Sequence, residues 1–343
     1  MKWLVLAGLV GCYSPTVHPG APCGPGGACP SHLTCSAQNT CEVAGGTGAD
    51  AANDSPVSSD ALAIDAPSGV APPNDLPGGA IDVSGGGDFT ADLTLAHDDA
   101  SKPSTGFCGG DGGLDVFYKL HLAADETIYL DTFGSDFDTV IRVFHGSCAG
   151  GAAPLGTLCH DNANNCSSVQ TVWLGTMKAG DNCIVVDGQD GMQTGHSLRM
   201  RVERGHRTGS NVTPPGVIGG ASTYTLTNDT TNASNVEDGS CAMHSDPDQG
   251  YAFSLCPGLT QTVGATTCNS ATGTNSWDTA LWARGPSGEL ACKDDDGPGV
   301  CSFGGGLSTI SFTATGNHLF WVIVDGGGGT TSVGSYELDL NFQ

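Results

Sequence analysis

Positive charge is scarce in this sequence. Its 343 residues include 11 Lys and Arg against 36 Asp and Glu, so the formal net charge is −25. A chain with this charge repels the phosphates of a nucleic acid, and no cluster of basic residues offsets the repulsion. We therefore exclude nucleic acids as partners.

Long apolar runs and strong helix formers are also lacking. The apolar run from Trp3 to Val10 is too short to span about 30 Å of hydrocarbon. The chain has 53 Gly residues and 30 Asp residues, and both are poor helix formers, which argues against a helical bundle. Because no G-x-S-x-G, H-E-x-x-H or P-loop motif occurs, we predict that the protein is not an enzyme.

The N-terminus has the pattern of an export signal. Lys2 precedes the apolar run, and the segment Leu9-Val10-Gly11-Cys12 follows it. This segment resembles the lipobox of bacterial lipoproteins, in which the cysteine is acylated and becomes the first residue of the mature chain. The resemblance implies a signal peptide over residues 1–11 and a lipid anchor on Cys12, with the outer membrane or cell surface as location. The alternative is a plain cleaved signal that leaves Cys12 as an ordinary cysteine.

A small cysteine-rich module is predicted over residues 12–41. Cys23, Cys29, Cys35 and Cys41 follow one another at intervals of six residues among Gly and Pro. So little core is available that two disulfides are expected to hold the module, in any of three connectivities. A zinc site is the alternative, although zinc modules use closer cysteine pairs. The stretch resembles modules that follow the lipobox in myxobacterial surface proteins.

Residues 42–87 are predicted to be a disordered acidic linker. From residue 42 to residue 87 the chain has no Lys, Arg, Cys or aromatic residue. A segment with so little apolar surface cannot offset the entropy cost of ordering.

The remaining chain is predicted to be one domain written twice, over residues 88–204 and 221–343, with a Gly/Pro-rich joint at 205–220. Landmarks recur in the same order at offsets that drift slightly, as expected after a tandem duplication. The matched residues are Cys108 and Cys241, Asp115 and Asp248, Asp138 and Asp278, Cys159 and Cys292, Cys166 and Cys301, and Asp187 and Asp325.

Each copy contains seven short apolar runs rich in Val, Ile, Thr and Tyr, separated by Gly, Asp, Asn and Ser. Such runs predict an antiparallel β-sandwich. They lie near residues 89–95, 116–122, 127–130, 140–144, 169–174, 183–186 and 198–202 of the first copy, and 223–226, 251–255, 262–263, 280–282, 309–312, 319–324 and 336–340 of the second.

Both copies resemble the bacterial pre-peptidase C-terminal domain. The resemblance rests on D-x-x-Y, then F-D-T or W-D-T, then a cysteine-flanked acidic loop, then a V-D-G turn. It implies two jelly-roll-like sandwiches on an exported protein, and some members of that family bind calcium or extracellular polymers. No protease precedes the two copies here, so a role in protease processing does not follow.

Loop carboxylates are the main candidate for a functional site. Calcium takes six to eight oxygen ligands, and clustered Asp and Asn supply them. The alternative is that these residues cap turns through their own backbone. The candidates are Asp136, Asp138, Asp161, Asn162 and Asp187 in the first copy, and Asp278, Asp294, Asp295, Asp296 and Asp325 in the second.

Each copy holds five cysteines, so either each has one free thiol or one disulfide joins the copies. We expect Cys159–Cys166 and Cys292–Cys301 to close the acidic loops, with Cys148–Cys159 as the alternative in the first copy. The disulfide candidates of the two copies are Cys108, Cys148, Cys159, Cys166, Cys183, Cys241, Cys256, Cys268, Cys292 and Cys301.

Histidine and aromatic residues in the strand runs are the remaining candidates. His121 and His318 lie in strand runs and are expected to be structural. Aromatic residues could form a sugar platform, but their place in strands favours core packing. They are Tyr118, Trp173, Tyr251, Trp277, Trp282 and Trp321.

Together these features predict a non-enzymatic lipoprotein of the cell envelope that presents two binding domains to an extracellular polysaccharide or protein, with calcium in its loops. The alternatives are an accessory substrate-binding subunit of secreted hydrolases and a structural spacer without a specific ligand.

Overall fold

The computed structural model describes residues 29, 33–35, 41–43, 69–100, 112–150, 158–189, 191, 195–207, 211–242, 245–268, 277–296, 301, 306–328 and 332–343. The chain divides into two compact units, residues 1–59 and residues 60–343. The predicted signal peptide, Cys12, Cys23 and Cys108 lie outside the described residues. Within the described part of the chain, no helix is long and apolar enough to cross a membrane.

The N-terminal unit contains a short hairpin. Strand β1 (Leu33–Cys35) pairs antiparallel with β2 (Cys41–Val43). Cys29 and Cys35 each take part in a disulfide. Cross-links of this kind stabilise a unit whose core is too small to hold a fold by itself.

The second unit contains two β-sandwiches of nine strands each. Sandwich 1 consists of β3 (Ile81–Asp82), β4 (Gly87–Asp92), β5 (Asp115–Leu122), β6 (Glu126–Asp131), β7 (Thr139–His145), β8 (Leu158–Asp161), β9 (Val172–Met177), β10 (Gly180–Gly188) and β11 (Ser197–Arg204). Sandwich 2 consists of β12 (Asn211–Ile218), β13 (Ser222–Asp229), β14 (Gln249–Leu255), β15 (Thr260–Thr266), β16 (Thr279–Gly285), β17 (Gly288–Asp294), β18 (Thr309–Thr315), β19 (Phe320–Gly326) and β20 (Ser335–Phe342). Short 3-10 helices span Pro77–Gly79, Cys148–Gly150 and Asn164–Cys166.

The two sandwiches have the same topology strand for strand. Sandwich 1 has a five-stranded sheet of order β3-β5-β10-β7-β8 and a four-stranded sheet of order β4-β11-β6-β9. Sandwich 2 repeats this as β12-β14-β19-β16-β17 and β13-β20-β15-β18. All pairings are antiparallel except those of the edge strands β3 with β5 and β12 with β14. The predicted all-β fold with two antiparallel sandwiches is confirmed.

All seven strands predicted in each copy are present, and the same two strands were missed in both copies. The first, β3 or β12, was missed because β3 has two residues and β12 contains a Pro-Pro pair. The second, β8 or β17, carries polar residues and looks like part of the acidic loop in the sequence.

Two predicted domain boundaries therefore change. The predicted joint at 205–220 contains β12, and the predicted linker at 42–87 contains the 3-10 helix and β3.

A buried apolar layer lies between the two sandwiches. It is separate from the core inside each sandwich. From sandwich 1 it takes outward residues of the four-stranded sheet, including Tyr129 and Val172. From sandwich 2 it takes outward residues of the five-stranded sheet, including Trp282, Trp321 and Ile323. The two sandwiches thus pack sheet against sheet, and strands such as β6, β16 and β19 are buried on both faces.

The disulfides differ from the predicted pairs. The bonds are Cys148–Cys183, Cys166–Cys256, Cys241–Cys292 and Cys268–Cys301, and Cys159 is also disulfide-bonded. The expected pairs Cys159–Cys166 and Cys292–Cys301, and the alternative Cys148–Cys159, are therefore wrong. Each of these bonds joins parts of the chain that are distant in sequence, and none joins the two cysteines that flank an acidic loop. Cys166–Cys256 joins the two sandwiches, which was one of the two ways to account for five cysteines per copy.

Candidate cation site and threonine face

Three carboxylates converge at one end of sandwich 2. Asp278 precedes β16, Asp294 ends β17 and Asp295 follows it. One carboxylate oxygen from each of these residues lies within 4.8 Å of the other two. Calcium–oxygen distances are about 2.3–2.6 Å, so two ligands on opposite sides of one ion are about 4.6–5.2 Å apart. The carboxylate spacing therefore fits a calcium ion.

Asp246 adjoins this cluster, and Asp325 lies near Asp246. Asp246 precedes β14, and its charge together with those of Asp294 and Asp295 adds to burial in raising the pKa of Asp278 to about 6. Asp325 lies in β19 and is fully buried. Its Oδ1 accepts a hydrogen bond from Gly326 N at 2.7 Å, whereas its Oδ2 is buried without a hydrogen-bond partner. Burial, aided by neighbouring carboxylates including Asp246, raises the pKa of Asp325 to about 8.

Gly327 leaves open the space in front of these carboxylates. Its N–H donates to the backbone oxygen of Asp278 at 3.1 Å. A Cβ at this position would clash with Asp294 Oδ1 and would lie 3.0 Å from Asp278 Oδ1. The latter oxygen is buried without a hydrogen-bond partner. The residues present therefore fit a cation, because a space bounded by carboxylate oxygens is kept free of side chain.

Sandwich 1 has different side chains at the positions equivalent to Gly327 and Asp295. Gln189 corresponds to Gly327, and its N–H donates to the backbone oxygen of Asp138 at 3.0 Å. The Gln189 side chain donates from Nε2 to Asp161 Oδ2 at 3.2 Å. Asn162 stands where sandwich 2 has Asp295, and both residues have positive φ, 60° and 57°. An amide group thus hydrogen-bonds the predicted ligand Asp161.

Asp187, the remaining candidate of the V-D-G turn, is part of a buried ion pair. Arg142 in β7 lies 2.5 Å from its carboxylate, and both side chains are almost completely buried. Burial raises the pKa of Asp187 to about 7 although the Arg142 guanidinium acts in the opposite direction. A charged residue inside an apolar strand was a sequence signal for this pair, and it was not used.

Two other predicted ligands lie in different surroundings. Asp136 Oδ1 accepts a hydrogen bond from Ser197 N at 2.8 Å, a long-range contact with β11 rather than a local turn cap. Asp296 lies beside the disulfide Cys268–Cys301 and 3.8 Å from the Lys293 ammonium. The structure therefore brings together Asp278, Asp294 and Asp295 but not all of the candidates. Asp246 and Gly327 were missed because neither belongs to an obvious ligand motif.

The aromatic candidates are mostly buried, and both histidine candidates contact carboxylates. Trp173, Trp282, Trp321, Tyr118 and Tyr251 are buried. This agrees with core packing rather than a sugar platform. Trp277 is partly exposed, and its indole N–H donates to Ser335 O at 3.0 Å. Two histidines contact carboxylates, His121 with Asp181 at 2.7 Å and His318 with Glu203 at 2.5 Å.

The outer face of the four-stranded sheet in sandwich 2 is rich in threonine. Its strands alternate buried and accessible residues, so every second side chain faces outward. Neighbouring strands bring Thr266 opposite Thr309 and Thr262 opposite Thr313. We call this surface the threonine face, and its hydroxyl residues are Thr223, Thr225, Thr227, Thr260, Thr262, Thr266, Thr309, Ser311, Thr313 and Thr315.

Regular spacing follows from the strand geometry. Alternate residues on a strand are about 6.8 Å apart, and neighbouring strands are about 4.8 Å apart. Two cross-strand hydrogen bonds hold the hydroxyls in place, from Thr225 to Asp339 at 2.6 Å and between Thr266 and Thr309 at 2.7 Å. The sequence T-x-T-x-T over residues 223–227 is the signal in the sequence for this surface.

No family model matches the chain, and no curated protein matches it. Among solved structures, the CUB1-EGF-CUB2 domain of human MASP-1/3 covers 75% of this chain and 99% of its own, with 9% identity and a TM-score of 0.19. The M60 catalytic domain with CBM51-1 and CBM51-2 of Clostridium perfringens ZmpB covers 68% of this chain and 34% of its own, with 7% identity and a TM-score of 0.19. Likenesses this distant carry no argument about function. The resemblance to pre-peptidase C-terminal domains stays a prediction.

Proposed function

We propose that the protein is an exported, non-enzymatic binding protein whose threonine face binds a neutral extracellular polysaccharide. One observation carries this proposal. The face equivalent to it in sandwich 1 is covered by sandwich 2 along β6 and at Val172, whereas none of the outward residues of the threonine face is buried. The duplicated fold thus uses one copy of this sheet for internal packing and leaves the other accessible.

The chemistry of the face suits a hydroxyl-rich polymer. Its hydroxyls lie beside the side chains of Asn341, Asp339 and Glu337, which pair across β20 with Thr223, Thr225 and Thr227. Hydroxyl, amide and carboxylate groups together offer both donors and acceptors to sugar hydroxyls. The net charge of −25 disfavours a polyanionic glycan.

A protein partner is less well supported by this surface. The cores of protein–protein interfaces are enriched in aromatic residues, Met and Arg. None of these residue types is among the outward residues of the four strands, as the described part of the chain shows them. The face therefore lacks the anchors that such an interface uses.

The disulfides of the second unit are typical of proteins that fold in an oxidising compartment outside the cytosol. On this proposal, lipid on Cys12 anchors the chain in the bacterial envelope, and the acidic segment that follows residue 42 holds the sandwiches away from the membrane. The buried layer between the sandwiches lets both move as one body.

Retention of the full chain on insoluble polysaccharides tests the proposal. We expect binding to neutral polymers such as cellulose, and at least about tenfold weaker binding by the double variant Thr262→Lys/Thr313→Lys. The two lysines replace neighbouring exposed threonines with long charged side chains. The matched control is Thr90→Lys, an exposed threonine on β4 of sandwich 1.

Three results would count against the proposal. Equal retention of the double variant and the wild type would place binding elsewhere. Failure of every neutral polymer to retain the wild type would leave the structural-spacer alternative. Retention only in the presence of a secreted hydrolase would favour the accessory-subunit alternative.

A further inference from the structure

We propose that two copies of the chain associate through strand β13, edge to edge in antiparallel register, so that their threonine faces form one continuous surface. This inference goes beyond the proposed function, because it concerns a partner for the sheet edge and does not depend on what the threonine face binds. It rests on the backbone of β13 and on a comparison with the equivalent strand β4 of sandwich 1.

Strand β13 lies at the edge of the four-stranded sheet and has one hydrogen-bonded neighbour, β20. Thr230 N donates to Gly334 O at 3.0 Å, in continuation of the β13–β20 register. Because bonded and non-bonded pairs alternate along an antiparallel ladder, every second residue before Thr230 bonds β20. The backbone groups of the residues between them, Thr223, Thr225 and Thr227, therefore point away from β20. Within the described part of the chain, none of these groups bonds another element.

This open edge is not protected in the usual ways. Proteins blunt edge strands with charged side chains, proline or a bulge. Residues 222–228 contain no charged residue and no proline, and the register with β20 runs without a shift. The edge of this eight-residue strand is thus suited to the addition of another strand.

The sequence of β13 is complementary to itself. In a two-fold antiparallel pair centred on Thr225, this residue lies opposite its own copy, and Thr223 lies opposite Thr227. Each of these pairs exchanges two N–H···O bonds, because these residues carry the free backbone groups. On the inner face, Tyr224 of one copy lies opposite Leu226 of the other. Both side chains are only partly buried at the margin of the core, and the pairing covers them.

The equivalent edge of sandwich 1 carries a charge at its centre. Asp92 ends β4 and Asp229 ends β13, and each accepts a hydrogen bond from the backbone N–H two residues later. This equivalence places Asp88 at the position of Thr225. Two copies of β4 paired in the same way would bring two Asp88 residues opposite each other, and like charges directly opposite destabilise a strand pair. Of these two strands, β13 is therefore the one that fits a second copy of itself.

Analytical ultracentrifugation of the full chain, without polysaccharide, tests the association. We expect a reversible dimer with a Kd on the order of 10 µM, as for a small transient interface. Salt at about 0.15 M screens the repulsion between two acidic copies beyond about 8 Å. Hydrogen exchange should locate the contact, because the amides of Thr223, Thr225 and Thr227 become protected as the protein concentration rises.

Two variants at Thr225 test the edge. Thr225→Pro removes an outward N–H, and proline is tolerated in an edge strand where that group faces solvent. Thr225→Lys places two lysines opposite each other in the dimer, whereas in the monomer the lysine lies across from Asp339. Each variant should weaken the dimer at least about tenfold. The lysine variant keeps the test valid if the proline variant fails to fold.

The matched control is Thr90→Pro in β4, at the position equivalent to Thr227, and it should dimerise like the wild type. Three results would overturn the inference. These are a monomer at about tenfold above the expected Kd, unchanged dimerisation of Thr225→Lys, and equal weakening of the dimer by Thr90→Pro.

The outcome is separable from that of the proposed function. The variant Thr262→Lys/Thr313→Lys changes β15 and β18 rather than the edge strand, so it should dimerise like the wild type. A dimer that no neutral polysaccharide retains would refute only the proposed function. A monomer that is retained on polysaccharide would refute only this inference.

Discussion

Single buried residues distinguish the two sandwiches more than their folds do. In sandwich 1 the buried partner of Arg142 is Asp187. Sandwich 2 has Trp282 at the position of Arg142, and its buried arginine is Arg207, which contacts Asp248. Arg207 lies just after sandwich 1, and its guanidinium is also 5.5 Å from the centre of the Trp321 ring. A residue of the connection thus neutralises a carboxylate inside the next sandwich.

The buried carboxylate of Asp115 should make stability depend on pH. Burial raises its pKa to about 6, and the neighbouring Asp98 and Asp99 add to this. The folded state then holds a proton that the unfolded chain releases near pH 4. This contribution is full below about pH 4 and is lost as pH rises through 6. In the wild type, this loss lowers the free energy of unfolding as the pH rises. Asp115→Asn should remove about 2–3 kcal/mol of that decrease.

Denaturant unfolding in EDTA between about pH 4 and pH 8 measures this dependence. Asp92 is a suitable control, since it is exposed and hydrogen bonds from Thr94 lower its pKa. Asp92→Asn should leave the fall between pH 4 and pH 6 unchanged. A slope that is the same in Asp115→Asn and the wild type would show that Asp115 is not the titrating group.

At the scale of elements, the disulfides of the described part of the chain join separate elements and loops rather than close the acidic loops. Cys148 bonds to Cys183 of β10, and Cys241 bonds to Cys292 of β17. Cys166, at the end of a 3-10 helix in sandwich 1, bonds to Cys256 just after β14 of sandwich 2. The Cys166–Cys256 bond closes a loop that contains strands of both sandwiches. It lies beside their shared apolar layer.

Removal of the bond between sandwiches should be costly but should leave the fold intact. Its cysteines are 90 residues apart, against 35 for Cys148–Cys183. We expect Cys166→Ala/Cys256→Ala to lower the unfolding free energy by about 2–4 kcal/mol, because the unfolded chain gains freedom. Cys148→Ala/Cys183→Ala should cost less, since it opens a shorter loop. Urea unfolding measures both, and a cost below about 0.5 kcal/mol for the first variant would contradict the expectation.

For the whole molecule, the layer between the sandwiches decides whether they behave as one body. Trp321, Trp282 and Tyr129 are buried there, each at 2% exposure or less. Hydrogen bonds also cross the junction, from Arg201 to Asn317 O at 2.9 Å and from Leu319 N to Glu203 at 2.7 Å. Contacts of both kinds would be lost if either sandwich unfolded alone.

Calorimetry should therefore show one unfolding transition for both sandwiches. Trp321→Ala should cost about 3–5 kcal/mol, as expected for a buried tryptophan. Since it weakens the shared layer, it should also split the transition in two. Two separate transitions in the wild type would show instead that the sandwiches unfold independently.

The sequence by itself determined the elements and their repetition. Strands with period-two alternation or continuous Val and Ile runs are specified locally, because a side chain must match the face on which it lies. The tandem copies were visible in the order of cysteines and V-D-G turns. Part of the cation site was also visible, as the acidic triplet Asp294 to Asp296, although Asp296 lies apart from the others.

Only the tertiary structure decided the disulfide pairs, the stacking of the sandwiches and the identity of the open face. Cysteine pairing depends on which strands become neighbours, and here the partners lie 33 to 90 residues apart. Tyr129 and Thr225 both point outward from equivalent sheets, and sequence alone does not say which is covered. The difference between Gln189 and Gly327 acquires meaning only when both are superposed on the same backbone, because a missing side chain matters through the space that it leaves open.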